Sequence, residues 1–554
     1  MIRDRLTHSL RDALGAAGLP EPPAGLALDV PRHRDQGDFS SNVALQLKGH
    51  DGSAPREIAT RIRDELVRAK VPHVVEIDIA GPGFLNFHLD SAWTHDVVRE
   101  AVAAGERYGH SDVLAGQRIN LEFVSSNPTG PLHAGGGRWV AVGDAIANLL
   151  AAQGADVHRE YYLNDAGNQL DTFGLSLLAR ARGEVPPEGG YMGNYVVEMA
   201  QRMTRELGGD LTLEAAREWG YIEAVRELRD DLGRIGVFFD TWFSERLLHE
   251  RDDVNDVVRI LTEAGHTFEA DGATWLRTTE FGDSRDRVIV RSNGTSTYLA
   301  ADLAYHRDKF RRGFTHLIDI WGADHHGQVK SLQAGMQALG YGPPPEPEIL
   351  LGQLVKLVRA GEAVRISKRT GNMITLADIL DDVDPDVVRM TFLLLSIDSP
   401  QTFDLDVVTA QSMENPVYYV QYAHARVASI ARRAAEAGIV RRPLDTVDLG
   451  PLQHVREYEL LRALDSYPDA VHDAADLRAP QKVATWVREF ASRFHSFYRE
   501  CRVITDDAEL TQARLWLVES CRIGLSSALG LLGVSAPDVM AQLDTDTDDD
   551  TGDS

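Results

Sequence analysis

The apolar positions change period several times along the chain, and each change marks an element. Ile58, Ile62 and Leu66 recur at helical spacing, whereas Val75, Ile77 and Ile79 alternate, as do Leu85, Phe87 and Leu89. Gly81-Pro82-Gly83 between the two alternating runs predicts a hairpin or a sharp strand connection. The turn Gly37-Asp38-Phe39-Ser40-Ser41-Asn42 leads into Val43–Lys48, read as a helix. Residues 1–110 thus predict a small α+β domain. Next, Ile119–Val124 is a short apolar run ending in turn residues. Trp139, Val142, Ile146, Leu149 and Leu150 share one helical face, Gly154 stops that helix, and Val157–Leu163 has the character of a second strand. Strand, helix, strand is a βαβ unit, which implies a parallel sheet. His316–Trp321 predicts a further strand, followed by a helix through Gln337. The stretch around 170–285 is richer in helix and loops and reads as an insertion into this sheet domain, which spans 111–405. From 406 to 543 the pattern is helical in four blocks, Val417–Ala435, Val455–Ala474, Gln481–Val503 and Thr511–Leu532, as in an all-α bundle.

At 554 residues the chain is long enough for several domains and a sizeable core. It holds no apolar run of membrane-spanning length, and its first residues lack the apolar core of a signal peptide. Cys501 and Cys521 are the only cysteines, which excludes a disulfide framework and a CxxC zinc site and points to a reducing cytoplasm. The formal net charge of −27 argues on its face against nucleic acid, but the charge is uneven. The tail Asp544–Ser554 holds six Asp and no base, as a disordered segment would. Arg432, Arg433, Arg441 and Arg442 cluster, and a local basic face can still hold a phosphate backbone. Lys stands at only seven positions, so a Lys inside a motif is conspicuous.

Two segments carry chemistry. In the first, Ser125-Ser126-Asn127-Pro128-Thr129-Gly130-Pro131-Leu132-His133-Ala134-Gly135-Gly136-Gly137-Arg138, a Pro- and Gly-broken turn with a His opens a helix. A helix N-terminus offers N–H groups and positive partial charge to an anion, and glycines let a nucleotide approach the backbone. Alone, this is equally a glycine turn before a core helix. In the second, Arg365-Ile366-Ser367-Lys368-Arg369-Thr370-Gly371-Asn372, a Lys in a loop flanked by Gly361 and Gly371 can close on phosphates. Alone, this is more often a solvated surface. Asp324, His325 and His326 suggest either a metal site or substrate lining; with no third well-spaced ligand, the lining is preferred and no metal site is expected.

Together, in this order, the two segments resemble the paired signatures of class I aminoacyl-tRNA synthetases. The residues Glu122–His133, Tyr298-Leu299-Ala300-Ala301-Asp302, Trp321–Gly327 and Asn415–Arg426 are similar to the arginyl-tRNA synthetase family in particular, and Gly37–Lys48 and Ala80–Leu89 resemble its extra N-terminal domain. The resemblance covers all but the acidic tail. It implies an α/β protein: a Rossmann-like parallel-sheet catalytic domain with an insertion, a small α+β N-terminal domain that binds tRNA, and a C-terminal all-α helical bundle that binds the anticodon arm. It implies ligation of L-arginine to tRNA(Arg) through an arginyl-adenylate, with ATP arriving with Mg²⁺ as the substrate complex.

By the same resemblance His133 and Lys368 are catalytic. Gly135, Gly136, Arg138, Asp324, His325 and Ser367 join them around ATP. Glu122, Ser125, Asn127, Tyr298 and Asp302, with His133 and His325, hold arginine, the Asp302 carboxylate facing the guanidinium. Asn42, Tyr419, Gln421, Tyr422 and Arg426 are candidates for tRNA. A cytoplasmic monomer with no membrane partner is expected. Two departures stand out. Gly136 occupies the place of the second signature His, and Arg365-Ile366 replaces Lys-Met. A sibling synthetase with Asp302 misread, or an inactive tRNA-binding paralogue suggested by Gly136, are the alternatives.

Overall fold

The computed structural model describes residues 2–31, 33, 36–208, 211–342, 347–359, 361–363, 374–409 and 415–540. Ser367, Lys368 and the acidic tail lie outside them. The described residues form two compact units. One comprises 2–108, 423–468 and 489–527, the other 109–422, 469–488 and 528–540. Among the described residues no helix is long and apolar enough to cross a membrane.

The N-terminal segment runs α1 (Ile2–Ala16), β1 (Phe39–Ser41), α2 (Val43–Gln46), α3 (Pro55–Ala69), β2 (Val74–Ala80), β3 (Phe84–Leu89) and α4 (Trp93–Ala104). Pro55 starts α3, where its missing N–H costs nothing, and Glu57 reaches back to the Ala54 N–H at 3.0 Å. That helix buries Ile58, Ile62 and Leu66 on one face. β2 and β3 form the expected antiparallel hairpin, in a sheet ordered β1-β3-β2. The alternation in β2 is broken, because the register shifts between Val74 and Glu76; Val75 is turned out to solvent and Ile77 is buried. Gly37 is obligatory in its turn: its φ is +89°, and a Cβ would sit 2.7 Å from the Phe87 carbonyl oxygen.

The second unit is built on five parallel strands. The elements follow as β4 (Arg118–Glu122), α5 (Gly137–Ala152), β5 (Asp156–Leu163), α6 (Asn168–Ala181), α7 (Asn194–Leu207), α8 (Leu213–Arg234), β6 (Thr241–Ser244), α9 (Arg246–Glu250) and α10 (Asp253–Glu263). Then come β7 (Thr267–Ala270), β8 (Ala273–Leu276), β9 (Arg287–Val290), α11 (Tyr298–Arg311), β10 (His316–Gly322), α12 (His326–Ala338) and β11 (Glu348–Gly352). The sheet order is β11-β10-β4-β5-β6, with every neighbouring pair parallel. The expected single insertion at 170–285 is in fact divided. α6, α7 and α8 pack on their own core of Phe173, Leu177, Val196, Met199 and Met203. The chain then returns to the main sheet as β6, before α9, α10 and the antiparallel β7-β8-β9 sheet pack with α11 and α12. At four residues, β6 is too short to reveal its period in the sequence.

The chain continues through β12 (Val355–Arg359), β13 (Glu362–Ala363), α13 (Leu376–Asp382), α14 (Pro385–Leu393), β14 (Gln401–Asp404) and α15 (Leu405–Val408). The helical region follows: α16 (Pro416–Glu436), α17 (Val455–Asp465), α18 (Tyr467–Asp476), α19 (Gln481–Glu500) and α20 (Ala508–Leu531). The block 455–474 is two helices rather than one. Pro468 cannot supply an N–H to a continuing helix but fits the first turn of a new one. Within the first unit, α17 packs against the N-terminal segment. Tyr458 meets Trp93 edge to face and donates its hydroxyl to Asp38 Oδ1 at 2.6 Å.

The first-signature helix α5 is fixed by a buried ion pair. Asp144 accepts from Arg389 on α14 and, at 3.1 Å, from Arg159 Nε. Arg389 also donates to the Ile235 and Leu532 carbonyls, at 2.9 and 3.2 Å. Asp144→Ala strands a buried guanidinium, so the variant is expected to lose about 3–5 kcal/mol of stability. Urea unfolding beside the parent checks this; an unchanged midpoint and slope would contradict it.

Candidate active site

In an open parallel sheet a ligand cleft opens at the carboxyl ends of the strands where the order reverses. Here that point lies between β4 and β10. Beyond β4 the chain bends sharply: Val124 has φ +71° and Ser125 +36°, and the Ser125 N–H closes back on the Phe123 carbonyl at 3.0 Å. A β-branched residue in the left-handed region costs about 1–3 kcal/mol and persists only where its surroundings hold it. They do so here. Ser125 Oγ donates to Glu122 Oε1 at 2.9 Å and accepts from the Tyr162 N–H at 3.0 Å. The Tyr161 hydroxyl accepts from the Ser126 N–H and donates to the Ser126 carbonyl. Asn127 donates to Gln169 Oε1 at 2.8 Å.

The turn ends at His133, which caps the short helical turn Ala134–Gly136. Its Nδ1 accepts the Gly135 N–H at 2.8 Å, so the neutral ring carries its proton on Nε2. The Ala134 N–H donates to the Ile374 carbonyl at 3.0 Å and the Leu376 N–H to the Leu132 carbonyl at 2.8 Å, with a bridge between His133 and Thr375. Thr375 caps α13 by accepting the Asp378 N–H. Residues 374–376, which follow the second signature in the sequence, therefore pair directly with the first. The three glycines have packing reasons. A Cβ at Gly136 would lie 2.9 Å from Leu132 Cδ1, and one at Gly137 2.8 Å from Phe392. The crowding at Gly136 thus comes from the turn's own Leu132.

Behind this rim lies a row of acids. Asp319 on β10, Glu122 on β4 and Glu160 on β5 stand in register across three adjacent strands, and all three are buried. Helix α11 answers them. Lys309 Nζ donates to Glu122 Oε2 at 2.7 Å and to Asp319 Oδ1 at 2.8 Å. His306 donates to Asp319 Oδ2 at 2.6 Å and, through Nδ1, to the Asp302 carbonyl at 2.7 Å. Arg312 grips both oxygens of Glu160, at 2.6 and 2.7 Å. Burial works against every one of these charges, but the pairing prevails. Asp319 is held well below the carboxylate range by Lys309 and His306, and Glu160 below it by Arg312 and Lys309. His306 is pushed up by Asp319, and since both its nitrogens face acceptors it is an imidazolium.

One turn away, the Asp302 carboxyl is pushed up to about 7, first by burial and then by Glu122, Glu245 and Asp319, with His306 opposing. The Glu245 carboxyl is also raised, by burial and by Asp165. Glu245 has His249 at 3.7 Å, whereas the acids around Asp302 outnumber its one nearby cation, His306, a setting suited to an incoming cation. Tyr298 lies four residues before Asp302 on α11 and is 70% exposed.

The other expected residues divide. Asp324 and His325 sit at the end of β10, largely exposed, in the turn that opens α12. Arg138 does not face the cleft. It is fully buried and donates to the carbonyls of Gln353, Ser399 and Ser396, at 3.2, 2.9 and 2.7 Å. Gln421 is likewise no surface contact. It is buried, with its amide donating to Asp386 at 2.8 Å and to Ser535. Tyr419, Tyr422 and Arg426 are half-buried along α16, Arg426 lying 4.4 Å over the Tyr498 ring. Asn42 starts α2 and accepts from Gln46 at 2.8 Å. Lys309, His306, Asp319, Glu160 and Glu245 were not singled out in the sequence. Three carboxylates at matching depth in three strands were the available signal, visible only once the strand register is known.

Among the described residues no cluster of His, Cys, Asp and Glu is arranged to hold a metal ion. Residues 4–89 match the family described as the arginyl tRNA synthetase N terminal domain, 228–390 the class I (R) tRNA synthetase catalytic domain, and 420–540 the DALR anticodon binding domain. The arginine--tRNA ligase of Kineococcus radiotolerans is 45% identical over 98% of this chain and 100% of its own length. That of Moorella thermoacetica is 44% identical over 97% and 98%. The structure of Thermus thermophilus arginyl-tRNA synthetase, 22% identical, shares the fold with a TM-score of 0.74, covering 98% of this chain and all of that one. With a Rossmann-like cleft, both flanking modules and near-complete coverage in agreement, the chain belongs to the arginyl-tRNA synthetase family of class I synthetases.

Proposed function

We propose that this protein ligates L-arginine to its cognate tRNA in two steps, forming arginyl-adenylate from ATP and then passing the acyl group to the terminal adenosine. The observation that carries the reading is the Asp302 carboxyl, set on α11 among Glu122, Glu245 and Asp319 with His306 as its one nearby cation. A guanidinium entering there restores charge balance, which a neutral amino acid would not do.

The arginine carboxylate attacks the α-phosphate of ATP and pyrophosphate leaves. No covalent step on the protein is required, so catalysis rests on placement and on charge aimed at the developing transition state. His133, with its proton on Nε2, is suited to donate to a phosphate oxygen. Lys368 meets the leaving pyrophosphate, and Mg²⁺ arrives with ATP. The pairing of residues 374–376, which follow the second signature in the chain, with Leu132, His133 and Ala134 supports this pairing of roles. Residues Asp324 and His325, exposed at the end of β10, line the nucleotide side. The first unit carries the N-terminal and anticodon-binding modules and takes the tRNA. The buried free thiols Cys501 and Cys521 support a reducing cytoplasm.

Asp302 must be ionised to receive arginine. Its carboxyl titrates near 7 in the empty site, so kcat/KM for arginine falls as pH drops below about 7 and levels off above it. Asp302→Asn flattens that limb and, at pH 8, lowers kcat/KM for arginine by about 10²–10³-fold, with the KM for ATP little changed. Pyrophosphate exchange with tRNA present, across pH 5.5–8.5, reads both. An unaltered arginine KM and kcat in this variant would remove the assignment.

Lys368→Ala should lower kcat for adenylate formation by about 10²–10³-fold and raise the KM for ATP far less, because its contact strengthens in the transition state. Single-turnover adenylate formation separates the two terms; a change confined to ATP affinity would make Lys368 a ground-state binder.

A further inference from the structure

The Glu122 carboxylate is pinned from both sides. Ser125 Oγ donates to Oε1 at 2.9 Å and Lys309 Nζ to Oε2 at 2.7 Å. Lys309 is wholly buried, and its second bond, to Asp319 Oδ1, ties β10 to β4 beneath the cleft. The groups around Glu122 are otherwise mostly acidic or neutral: Glu160 and Asp319 on its flanking strands, Asp302 and Tyr305 on α11, and Tyr162 on β5. Lys309 is the cation in direct contact with it. Each Glu122 oxygen carries two lone pairs, so each keeps acceptor capacity beyond these two bonds.

We infer that Lys309, which touches no substrate, is a positioning residue: it holds the Glu122 carboxylate oriented at the end of β4, and thereby sets the affinity for the amino acid. This rests on the proposed arginine activation. Two readings of a buried lysine compete. A purely structural lysine would stabilise the sheet whatever Glu122 does. A positioning lysine acts on arginine only through Glu122. The spacing favours the second, because Asp319 is also paired with His306, whereas among the described residues Lys309 is the cation in salt-bridge contact with Glu122.

The test is a double-mutant cycle in arginine-dependent pyrophosphate exchange, with tRNA present, on the full chain. Lys309→Met should raise the KM for arginine at least 10-fold while the KM for ATP stays within about twofold. In a Glu122→Gln background the same change should add no more than about twofold to the arginine KM, since the group it positions is gone. Lys309→Met/Asp319→Asn removes the cation together with one of its anions. It should fold like the parent by thermal unfolding and show the same raised arginine KM, so a folding defect in the single variant does not decide the matter. Lys309 variants that keep the parental arginine KM, or losses that multiply in the Glu122→Gln background, overturn the role of Lys309. A folded parent that exchanges pyrophosphate with another amino acid and not with arginine overturns the functional reading and this inference with it.

Discussion

Like charges set side by side across parallel strands repel, and in a dry sheet centre the repulsion is severe. Asp319, Glu122 and Glu160 are nevertheless aligned in the middle of this sheet, and the rest of the catalytic unit is arranged around keeping them ionised. One helix does this. α11 lays His306, Lys309 and Arg312 over the row, each within hydrogen-bonding reach of its carboxylate. The same helix carries Asp302 one turn before His306, so the proposed arginine contact and the groups that pair the buried acids share one element.

The arrangement of α5 follows from the same logic. Its N-terminal turn bears His133 and the glycines, and its middle bears Asp144, locked by Arg389 and Arg159. Arg138, directly after the glycines, spends its charge on three backbone carbonyls of the segments at 353 and 396–399. The first signature is thus braced on one side by backbone pairing to 374–376 and on the other by buried guanidinium contacts. An active-site turn with this much support can hold a conformation that a free peptide would avoid.

Much of this was legible before any coordinates. The period changes located the hairpin, the βαβ unit and the helical region, because long periodic runs report burial directly. The first signature lies at the turn after β4, where the strand order of the parallel sheet reverses. Failures had physical causes. β6 is short enough to hide inside a helical stretch, and a proline that can start a helix was read through as if it continued one. Arg138 and Gln421 looked like ligand contacts because polar residues near a motif usually are. Their burial depends on carbonyls and partners remote in sequence, which no local pattern encodes. The network of Lys309 and Asp319 was invisible for the related reason that register between β4 and β10, nearly two hundred residues apart, is a tertiary fact.

The backward-bent Val124 has a consequence for how such a protein changes under selection. Its left-handed backbone is energy stored against the fold, and replacement by Gly, or less fully by Asn, would release it. Breeding this protein for heat resistance would therefore tend to find that turn early, since relief there needs one substitution rather than many. The gain would loosen the loop whose hydroxyl contacts aim Glu122 and lead to His133. Hardiness and turnover would trade against each other at this position. Lineages that kept both would have to gain their robustness elsewhere, for example in the helical modules, where packing can improve without disturbing the chemistry.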